Sequence, residues 1–148
     1  MRRITWEGGL VAIDFRGCGA RELSELYHAF GLLCAREEVR CALLTTGIED
    51  ADCHYALRDV LATVASIAGI PLRFRLALVA TWEPVARVYR SVQRNLDSLG
   101  CDARVFSVAC EAEDWLRAGE QLALRTLATR LRPGAVTGTA SQGGPSPS

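Results

Sequence analysis

The fold of this chain is decided by residues 74–80, which read FRLALVA and are the strongest candidate for a central β-strand. A short, continuous apolar run is typical of a strand that a parallel sheet buries on both faces. Residues 81–84 (TWEP) end the run, and Pro84 in a first helical turn predicts a helix that continues to about Leu99. The stretch therefore predicts a buried strand followed by a crossover helix.

The same strand-and-helix unit is predicted twice upstream. Cys41–Thr45 is a second continuous apolar run, and a helix is predicted after it from about Asp52 to Ala68. An earlier helix is predicted from about Ala20 to Arg36, where apolar residues recur with the i, i+3, i+4 and i+7 spacing of one helix face. Strands that alternate with helices in this way favour a parallel sheet with right-handed crossovers.

The two ends of the chain complete the predicted fold. Runs at Arg3–Glu7 and Leu10–Arg16 flank Gly8-Gly9, a pair that supplies the positive φ of a tight hairpin turn, and the second run is the more apolar. A last strand is predicted at Ala103–Val108 and a last helix at Ala112–Leu131. We therefore predict an α/β fold with an N-terminal β-hairpin plus a mostly parallel four- to five-stranded sheet with four helices.

The composition fits one globular domain and excludes several classes of protein. Residues 1–132 are predicted to form the domain, and residues 133–148, mainly Gly, Ser, Thr, Ala, Gln and Pro, a disordered tail. The formal net charge is zero, so there is no bulk electrostatic attraction to nucleic acid or to an anionic membrane. No apolar run approaches the ~18 residues of a membrane span, and the N-terminus does not resemble a secretory signal. We therefore expect a cytoplasmic protein without membrane insertion.

The residue types that carry catalysis or hold cofactors form no recognisable pattern. The six cysteines include no C-x-x-C pair, which argues against a zinc site, a redox motif or a cluster. We expect most of them to be buried as small apolar side chains. The glycines at 8–9 and 17–19 fit neither G-x-G-x-x-G nor a P-loop, and the chain contains no lysine. We therefore predict no cofactor, no metal and no enzymatic activity.

Three segments of residues 4–116 resemble one known family. They are the hairpin ITWEGGLVAI at 4–13, the strand RLALVA at 75–80, and ARVFS at 103–107 followed by EDWL at 113–116. Together they are similar to STAS-like domains, the relatives of the bacterial anti-anti-sigma factors, in a branch grouped with SEC14-like lipid-binding folds. The resemblance implies a non-enzymatic regulatory or protein-interaction module from a bacterium.

One departure from the family pattern bears on regulation. Phosphoregulated anti-anti-sigma factors carry a serine in an Asp-Ser-Ser-Gly segment at the start of the second helix. The stretch at that place in this chain is Asp52-Cys53-His54-Tyr55, so a cysteine stands where the serine would be phosphorylated. In that register, serine phosphorylation is excluded at this position.

The predicted sheet brings two groups of candidate residues to one edge. Trp82 directly follows one strand, and His54 and Tyr55 open the helix after the neighbouring strand. The carboxyl ends of parallel strands meet at one edge, where open sheets bind ligands. We therefore predict an interaction or ligand rim formed by Asp52, Cys53, His54, Tyr55 and Trp82.

Two functions remain open for this rim. One is contact with a protein partner through residues 47–55. The other is the binding of a small hydrophobic, lipid-like ligand near Trp82 by a carrier or sensor. A third interpretation gives the aromatic residues no function beyond capping the core. The sequence permits a homodimer but does not specify one.

Two further features also allow alternative interpretations. Cys53 is followed by His54, and a helix N-terminus lowers the pKa of a thiol. Neighbouring residues on a helix point about 100° apart, so His54 is poorly placed to activate Cys53. Arg87, Arg90 and Arg94 recur on one face of the third helix, and they form either a solvated face or a patch that contacts anions.

Overall fold

The computed structural model describes residues 3–36, 39–67 and 74–119, and within them the chain forms an α/β fold. Five strands form one sheet: β1 (Ile4–Glu7), β2 (Leu10–Asp14), β3 (Cys41–Thr45), β4 (Arg75–Val79) and β5 (Asp102–Phe106). The helices are α1 (Ala20–Cys34), α2 (Ala56–Ile67), α3 (Glu83–Asp97) and α4 (residues 109–119), with a 3-10 helix at Ala51–Tyr55.

The chain divides into two compact units at Arg117. The first unit contains the sheet, and the second is described only at residues 117–119. The part of the predicted last helix beyond residue 119 and the predicted tail at residues 133–148 lie outside the described residues.

The sheet confirms the predicted hairpin and the mostly parallel arrangement. β1 pairs antiparallel with β2, and β2, β3, β4 and β5 follow as parallel neighbours in chain order. Gly8 and Gly9, at φ 59° and 91°, form the turn of the hairpin in a backbone region that residues with a Cβ seldom adopt. β1 lies at the edge of the sheet, so β2 is the inner strand of the hairpin, as its more apolar sequence predicts.

The helices α1, α2 and α3 pack on one face of the sheet. Right-handed crossovers between adjacent parallel strands place the connecting helices on the same side, and these three helices share one apolar core with the strands. The strand residues in this core alternate along the chain: Val11, Ile13, Ala42, Leu44, Leu76, Leu78 and Ala103. The strand residues between them pack on the opposite face: Cys41, Leu43, Ala77 and Val79. There they contact Ala112 and Leu116 of α4. The central strands are therefore buried on both faces, as predicted.

Arginine side chains hold α4 against its face of the sheet. The guanidinium of Arg75 lies 4.5 Å from the ring centroid of Trp115, and that of Arg104 lies 5.0 Å from it. Nη1 of Arg75 also donates a hydrogen bond of 2.8 Å to the carbonyl of Trp115, and Arg75 pairs with Asp102. Two cations on neighbouring strands thus fix the Trp115 ring.

Two boundaries differ from the predictions and shape the carboxyl edge of the sheet. The segment predicted to open the second α-helix at Asp52 is a 3-10 helix, in which the Asp50 side chain accepts a hydrogen bond of 3.1 Å from the Asp52 amide. This cap begins a tighter turn, and the α-helix starts only at Ala56. The last strand ends at Phe106, so Val108 leaves the sheet and is exposed.

Candidate functional site

The loops that follow β3, β4 and β5, together with the first residues of the helices after them, lie at one edge of the sheet, which we term the carboxyl rim. It comprises residues 46–52, 81–83 and 107–111. Thr45, Val79 and Phe106 are aligned at the ends of the three parallel strands, and neighbouring strands lie about 4.8 Å apart. The register therefore places the starts of the three loops side by side.

Three large apolar side chains, Ile48, Trp82 and Val108, are exposed on the carboxyl rim, and we term them the apolar trio. Ile48 and Trp82 each follow an aligned strand end by three residues, and Val108 follows one by two. Their exposed fractions are 77%, 36% and 43%. The other exposed large apolar side chains of the described residues, Trp6 and Leu32, lie on β1 and in the last turn of α1. The carboxyl rim therefore concentrates exposed apolar surface.

The loop that carries Ile48 is fixed on both sides of that residue. Thr46 is buried, and its hydroxyl donates a hydrogen bond of 2.6 Å to the carbonyl of Val79. Glu49 is also buried, and its Oε2 accepts a hydrogen bond of 2.5 Å from the amide of Gly47. A Cβ atom at Gly47 would lie 2.9 Å from that oxygen, so a side chain there would require the Glu49 carboxylate to shift. Ile48 is thus held outward between two buried residues.

Beneath this loop, four polar side chains form a hydrogen-bonded group that we term the buried network: Tyr27, Glu49, His54 and Tyr89. Tyr27 Oη lies 2.7 Å from His54 Nδ1 and 2.8 Å from Tyr89 Oη, and Tyr89 Oη lies 3.2 Å from Nδ1. On the other side of the imidazole, Nε2 lies 3.2 Å from Glu49 Oε1. The network therefore joins α1, α3, the 3-10 helix and the loop after β3.

These contacts favour one arrangement of protons when Glu49 is ionised, in which the shorter contact of Nδ1, with Tyr27, is the hydrogen bond. A carboxylate can only accept hydrogen bonds, so His54 Nε2–H donates to Glu49 and Nδ1 accepts from the hydroxyl of Tyr27. The Tyr89 hydroxyl then donates to the oxygen of Tyr27. The hydrogen bonds run in one direction from Tyr89 to Glu49, and both ring nitrogens are satisfied, as burial requires.

Burial shifts the pKa values of the network away from the charged forms. It lowers the pKa of His54 to about 4, so the imidazole is neutral at pH 7. It raises the pKa of Glu49, and the hydrogen bonds from the amides of Gly47 and Gly17 oppose this effect. It also raises the pKa of both tyrosine hydroxyls. At neutral pH the imidazole and both phenols are therefore uncharged.

The network is closed to solvent. The Phe15 ring centroid lies 4.6 Å from that of Tyr27, and it lies 5.5 Å from that of His54 in an edge-to-face arrangement. The side chains of Tyr27, His54 and Tyr89 are all but fully buried. A molecule bound at the surface therefore contacts the loop above the network and not the network itself.

The residues predicted to form the rim separate into exposed and buried ones. Asp52 and Trp82 are exposed, and Cys53 and Tyr55 are half-buried. His54 is 0% exposed, so its predicted place on a contact surface is wrong. The physical reason is that the interior supplies a hydrogen-bond partner for each of its ring nitrogens.

Cys53 is not an activated thiol. Burial raises its pKa, and the neighbouring carboxyl groups of Asp50 and Asp52 raise it further because they disfavour a thiolate. These effects outweigh the lowering of the thiol pKa that a helix N-terminus would cause. His54 turns its two nitrogens toward Tyr27 and Glu49, so it does not act on Cys53.

The three arginines predicted on one face of α3 are exposed. They are Arg87, Arg90 and Arg94. Arg90 pairs with Glu83, two turns earlier on the same helix. A guanidinium that is already paired attracts an external anion less strongly, and the anion-contacting patch stays a prediction.

The cysteines behave mainly as small apolar side chains. Cys18, Cys34, Cys41 and Cys101 are buried, as expected, and burial raises the pKa of Cys101 to about 12. Among residues 3–36, 39–67 and 74–119, no group of histidine, cysteine and acidic side chains is suited to hold a metal ion. None of the helices in these segments has both the length and the apolar composition that a membrane crossing requires.

Several residues of the site are not singled out by the sequence. Ile48 could have been found from the sequence, because it is an apolar residue just beyond a predicted strand end, whereas Val108 falls inside the predicted last strand. Tyr27 has the spacing of an ordinary core residue on α1, and Glu49 is one of several acids in its loop. No local pattern marks these two residues as hydrogen-bond partners of a histidine.

Comparisons with known proteins identified no relative of this chain. No protein-family model matches the chain, and no curated protein or solved structure matches it. The basis for its function is therefore the geometry of the carboxyl rim and of the buried network.

Proposed function

We propose that this chain is a non-enzymatic regulatory or protein-interaction module of the STAS-like type, which binds a protein partner at the carboxyl rim. The observation that carries the proposal is the exposure of the apolar trio at one edge of the sheet. Single apolar side chains are ordinary on protein surfaces, but a group of them at one place marks a contact surface. Ile48 also lies within residues 47–55, where the sequence predicts partner contacts.

A partner that covers the apolar trio gains free energy from burying it. Full burial of one large apolar side chain contributes about 1.5–3 kcal/mol before the costs of association are subtracted. One of those costs is the ordering of loops. It is small here because Thr46 and Glu49 already hold Ile48 outward.

The interior polar groups support binding rather than catalysis. A general acid or base must come within hydrogen-bond reach of its substrate, and His54, Tyr27 and Tyr89 are buried. The half-buried thiol of Cys53 has a raised pKa, so little of it is the nucleophilic thiolate at neutral pH. Both observations favour a binding function.

Site-specific photo-crosslinking tests this proposal. A photoreactive phenylalanine derivative is placed at Ile48 in the native host, and the same derivative is placed at Leu32 as a control. Leu32 is a matched position because it is 64% exposed but lies on α1. We expect a covalent adduct with one defined protein from position 48 and none from position 32. With the purified pair, Ile48→Asp should abolish binding and Leu32→Asp should leave it unchanged.

Three outcomes would contradict the proposal. Equal adducts from both positions would indicate unspecific adhesion, and a crosslink between two copies of this chain would indicate a homodimer in place of an external partner. The third outcome is a small molecule in the protein purified from its host, seen as extra mass that is lost on denaturation. If Trp82→Ala abolished that mass and position 48 formed no protein adduct, the carrier or sensor of a hydrophobic ligand would be the correct function.

A further inference from the structure

The outer side of β1 is an open strand edge within the described residues. β1 comes first in the order of the sheet, and it pairs only with β2 there. Thr5, Trp6 and Glu7 are exposed, and Ile4 is half-buried. An open edge presents a row of backbone N–H and C=O groups to which another strand can bind. The residues of β1 therefore determine which strand fits this edge.

The hydrogen bonds of the hairpin show which backbone groups of β1 point outward. The carbonyl of Arg3 accepts a hydrogen bond of 2.8 Å from the amide of the last residue of β2. Residues of an antiparallel pair alternate between hydrogen-bonded and non-hydrogen-bonded positions, so Thr5 and Glu7 also bond to β2. The N–H and C=O groups of Ile4 and Trp6 therefore point away from the sheet, and no hydrogen bond among the described residues uses them.

β1 is complementary to a second copy of itself. When two copies pair antiparallel across a two-fold axis at Thr5, Ile4 of each copy lies opposite Trp6 of the other, and these residues exchange both of their outward hydrogen bonds. The facing side chains are then β-branched and aromatic, and Thr5 faces Thr5 of the second copy. Both kinds of pair stabilise an antiparallel sheet.

The charges beside this pair match in the same register. Arg3 of one copy lies opposite Glu7 of the other, and opposite charges favour a cross-strand pair. The Arg3 guanidinium already pairs with Glu22 at 3.3 Å, so the charges contribute more to the choice of register than to affinity. The Trp6 ring is held by the guanidinium of Arg36, 4.3 Å from its centroid, which reduces the side-chain freedom lost on pairing.

The edge strand on the other side of the sheet, β5, does not match itself in this way. The amide of Asp102 bonds to the carbonyl of Phe74, so Ala103 and Val105 carry the outward backbone groups. A register that joins these two residues places Arg104 directly opposite Arg104 of the second copy. Like charges at such a position destabilise the pairing. Self-complementarity thus distinguishes β1 from β5.

We infer that two copies of this chain associate edge to edge through antiparallel β1 strands, so that their sheets form one continuous sheet. The two-fold axis is perpendicular to the sheet, and the carboxyl rims of the two copies therefore lie at opposite ends. The inference is independent of the proposed function, because both rims stay exposed and position 48 forms no crosslink between copies. β1 has only four residues, so the dimer is weak and depends on protein concentration.

Sedimentation velocity of the full-length protein between roughly 5 and 500 μM tests this dimer. We expect the sedimentation coefficient of the wild type to rise with concentration from the value of a monomer toward that of a dimer. Thr5→Glu and Thr5→Arg should each weaken association at least about tenfold, because each places two like charges opposite one another. An equimolar mixture of the two variants should recover association, since residue 5 then faces the opposite charge.

Thr63→Glu is the matched control, because Thr63 is an exposed threonine on α2. It should sediment as the wild type does. Both Thr5 variants should fold normally, since the Thr5 side chain is exposed and the strand bonds to β2 through its backbone. Circular dichroism and thermal denaturation check this. Trp6→Pro is a second test, because it removes an outward N–H and no hydrogen bond of the hairpin, and it should be monomeric.

The remaining outcomes would overturn the inference. A wild type that stays monomeric over the whole concentration range would show that β1 does not pair. A dimer that persists in both Thr5 variants and in Trp6→Pro would use another surface. Thr5 variants that are monomeric singly and do not associate when mixed would show that the two copies do not meet at Thr5.

Discussion

Nε2 of His54 lies 3.2 Å from Oε1 of Glu49, and the side chains of both residues are excluded from solvent. The opposite edge of the imidazole is held by the hydroxyls of Tyr27 and Tyr89. Because Glu49 directly follows Ile48, the place of the exposed isoleucine depends on a polar contact in the interior. Ile48 of the apolar trio and the buried network are connected through this pair.

The substitution Glu49→Gln tests that connection. A neutral amide offers one oxygen where the carboxylate offers two, so either His54 Nε2–H or the amide of Gly47 loses its acceptor. We expect the free energy of unfolding to fall by about 1–3 kcal/mol, and amide hydrogen exchange at residues 46–50 to become faster. Urea denaturation and hydrogen exchange with mass spectrometry measure the two effects.

Asp52→Asn is the control for this substitution, since Asp52 is exposed in the 3-10 helix that directly follows the loop of Glu49. We expect it to change the free energy of unfolding by less than about 0.5 kcal/mol. Equal effects of the two substitutions would show that Glu49 does not hold the loop.

The free energy of unfolding should fall at acid pH because of the titration of His54. Burial lowers the pKa of His54 to about 4 from its ordinary value of 6.5, so the unfolded chain takes up this proton first as the pH falls. The stability contributed by the neutral imidazole is complete above pH 6.5 and is lost as the pH falls toward 4. The loss amounts to at most about 3 kcal/mol, at roughly 1.4 kcal/mol per pH unit.

Glu49 opposes this loss. Burial raises its folded pKa above the ordinary value of 4.5, so the folded protein takes up this proton before the unfolded chain does. Removal of the opposing group in Glu49→Gln should therefore steepen the loss of stability with falling pH, and His54→Gln should make it shallower. Urea denaturation at a series of pH values gives the slopes. Identical slopes for wild type and His54→Gln would show that folding does not lower the pKa of His54.

The hydroxyls of Tyr27 and Tyr89 should contribute differently to the free energy of unfolding. The Tyr27 hydroxyl makes the shorter contact with His54, at 2.7 Å against 3.2 Å for Tyr89. We expect Tyr27→Phe to lower the free energy of unfolding by about 1–2 kcal/mol and Tyr89→Phe by less, because Tyr27 remains to satisfy Nδ1 in the second variant. The double variant should lose more than the sum of the single losses, since no hydroxyl is left for the imidazole. Simple additivity in thermal or urea denaturation would contradict a shared network.

Arg75 should matter more than Arg104 for the attachment of α4. Both guanidinium groups stack on Trp115, but only Arg75 is also hydrogen-bonded to the Trp115 carbonyl and paired with Asp102. We expect Arg75→Ala to destabilise the protein by about 1–2 kcal/mol and Arg104→Ala by less than about 1 kcal/mol. Hydrogen exchange at residues 109–116 should accelerate in Arg75→Ala alone. Acceleration to the same extent in both variants would show that stacking, not the hydrogen bond, holds the helix.

The order of the strands and helices, and the burial of the central strands on both faces, were determined by the sequence alone. The apolar run at residues 74–80, the Gly8-Gly9 pair and the helical spacing from Ala20 onward are relationships between near neighbours, and local sterics translate them directly into structure. The alternation of strands and helices then limits the topology, because crossovers are right-handed. The same pattern indicated that Trp82 and the segment after β3 meet at one edge.

Only the tertiary structure decided which side chains of that edge face solvent and which face the interior. Tyr27, His54 and Tyr89 come from three separate elements, and Tyr27 and Tyr89 are 62 positions apart in the chain. Their contact depends on how α1, the 3-10 helix and α3 pack, and a hydrogen bond is formed or lost over less than 1 Å. The sequence presents His54 and Glu49 as members of a polar loop. The packing of the three helices buries both and leaves Ile48 between Thr46 and Glu49 exposed.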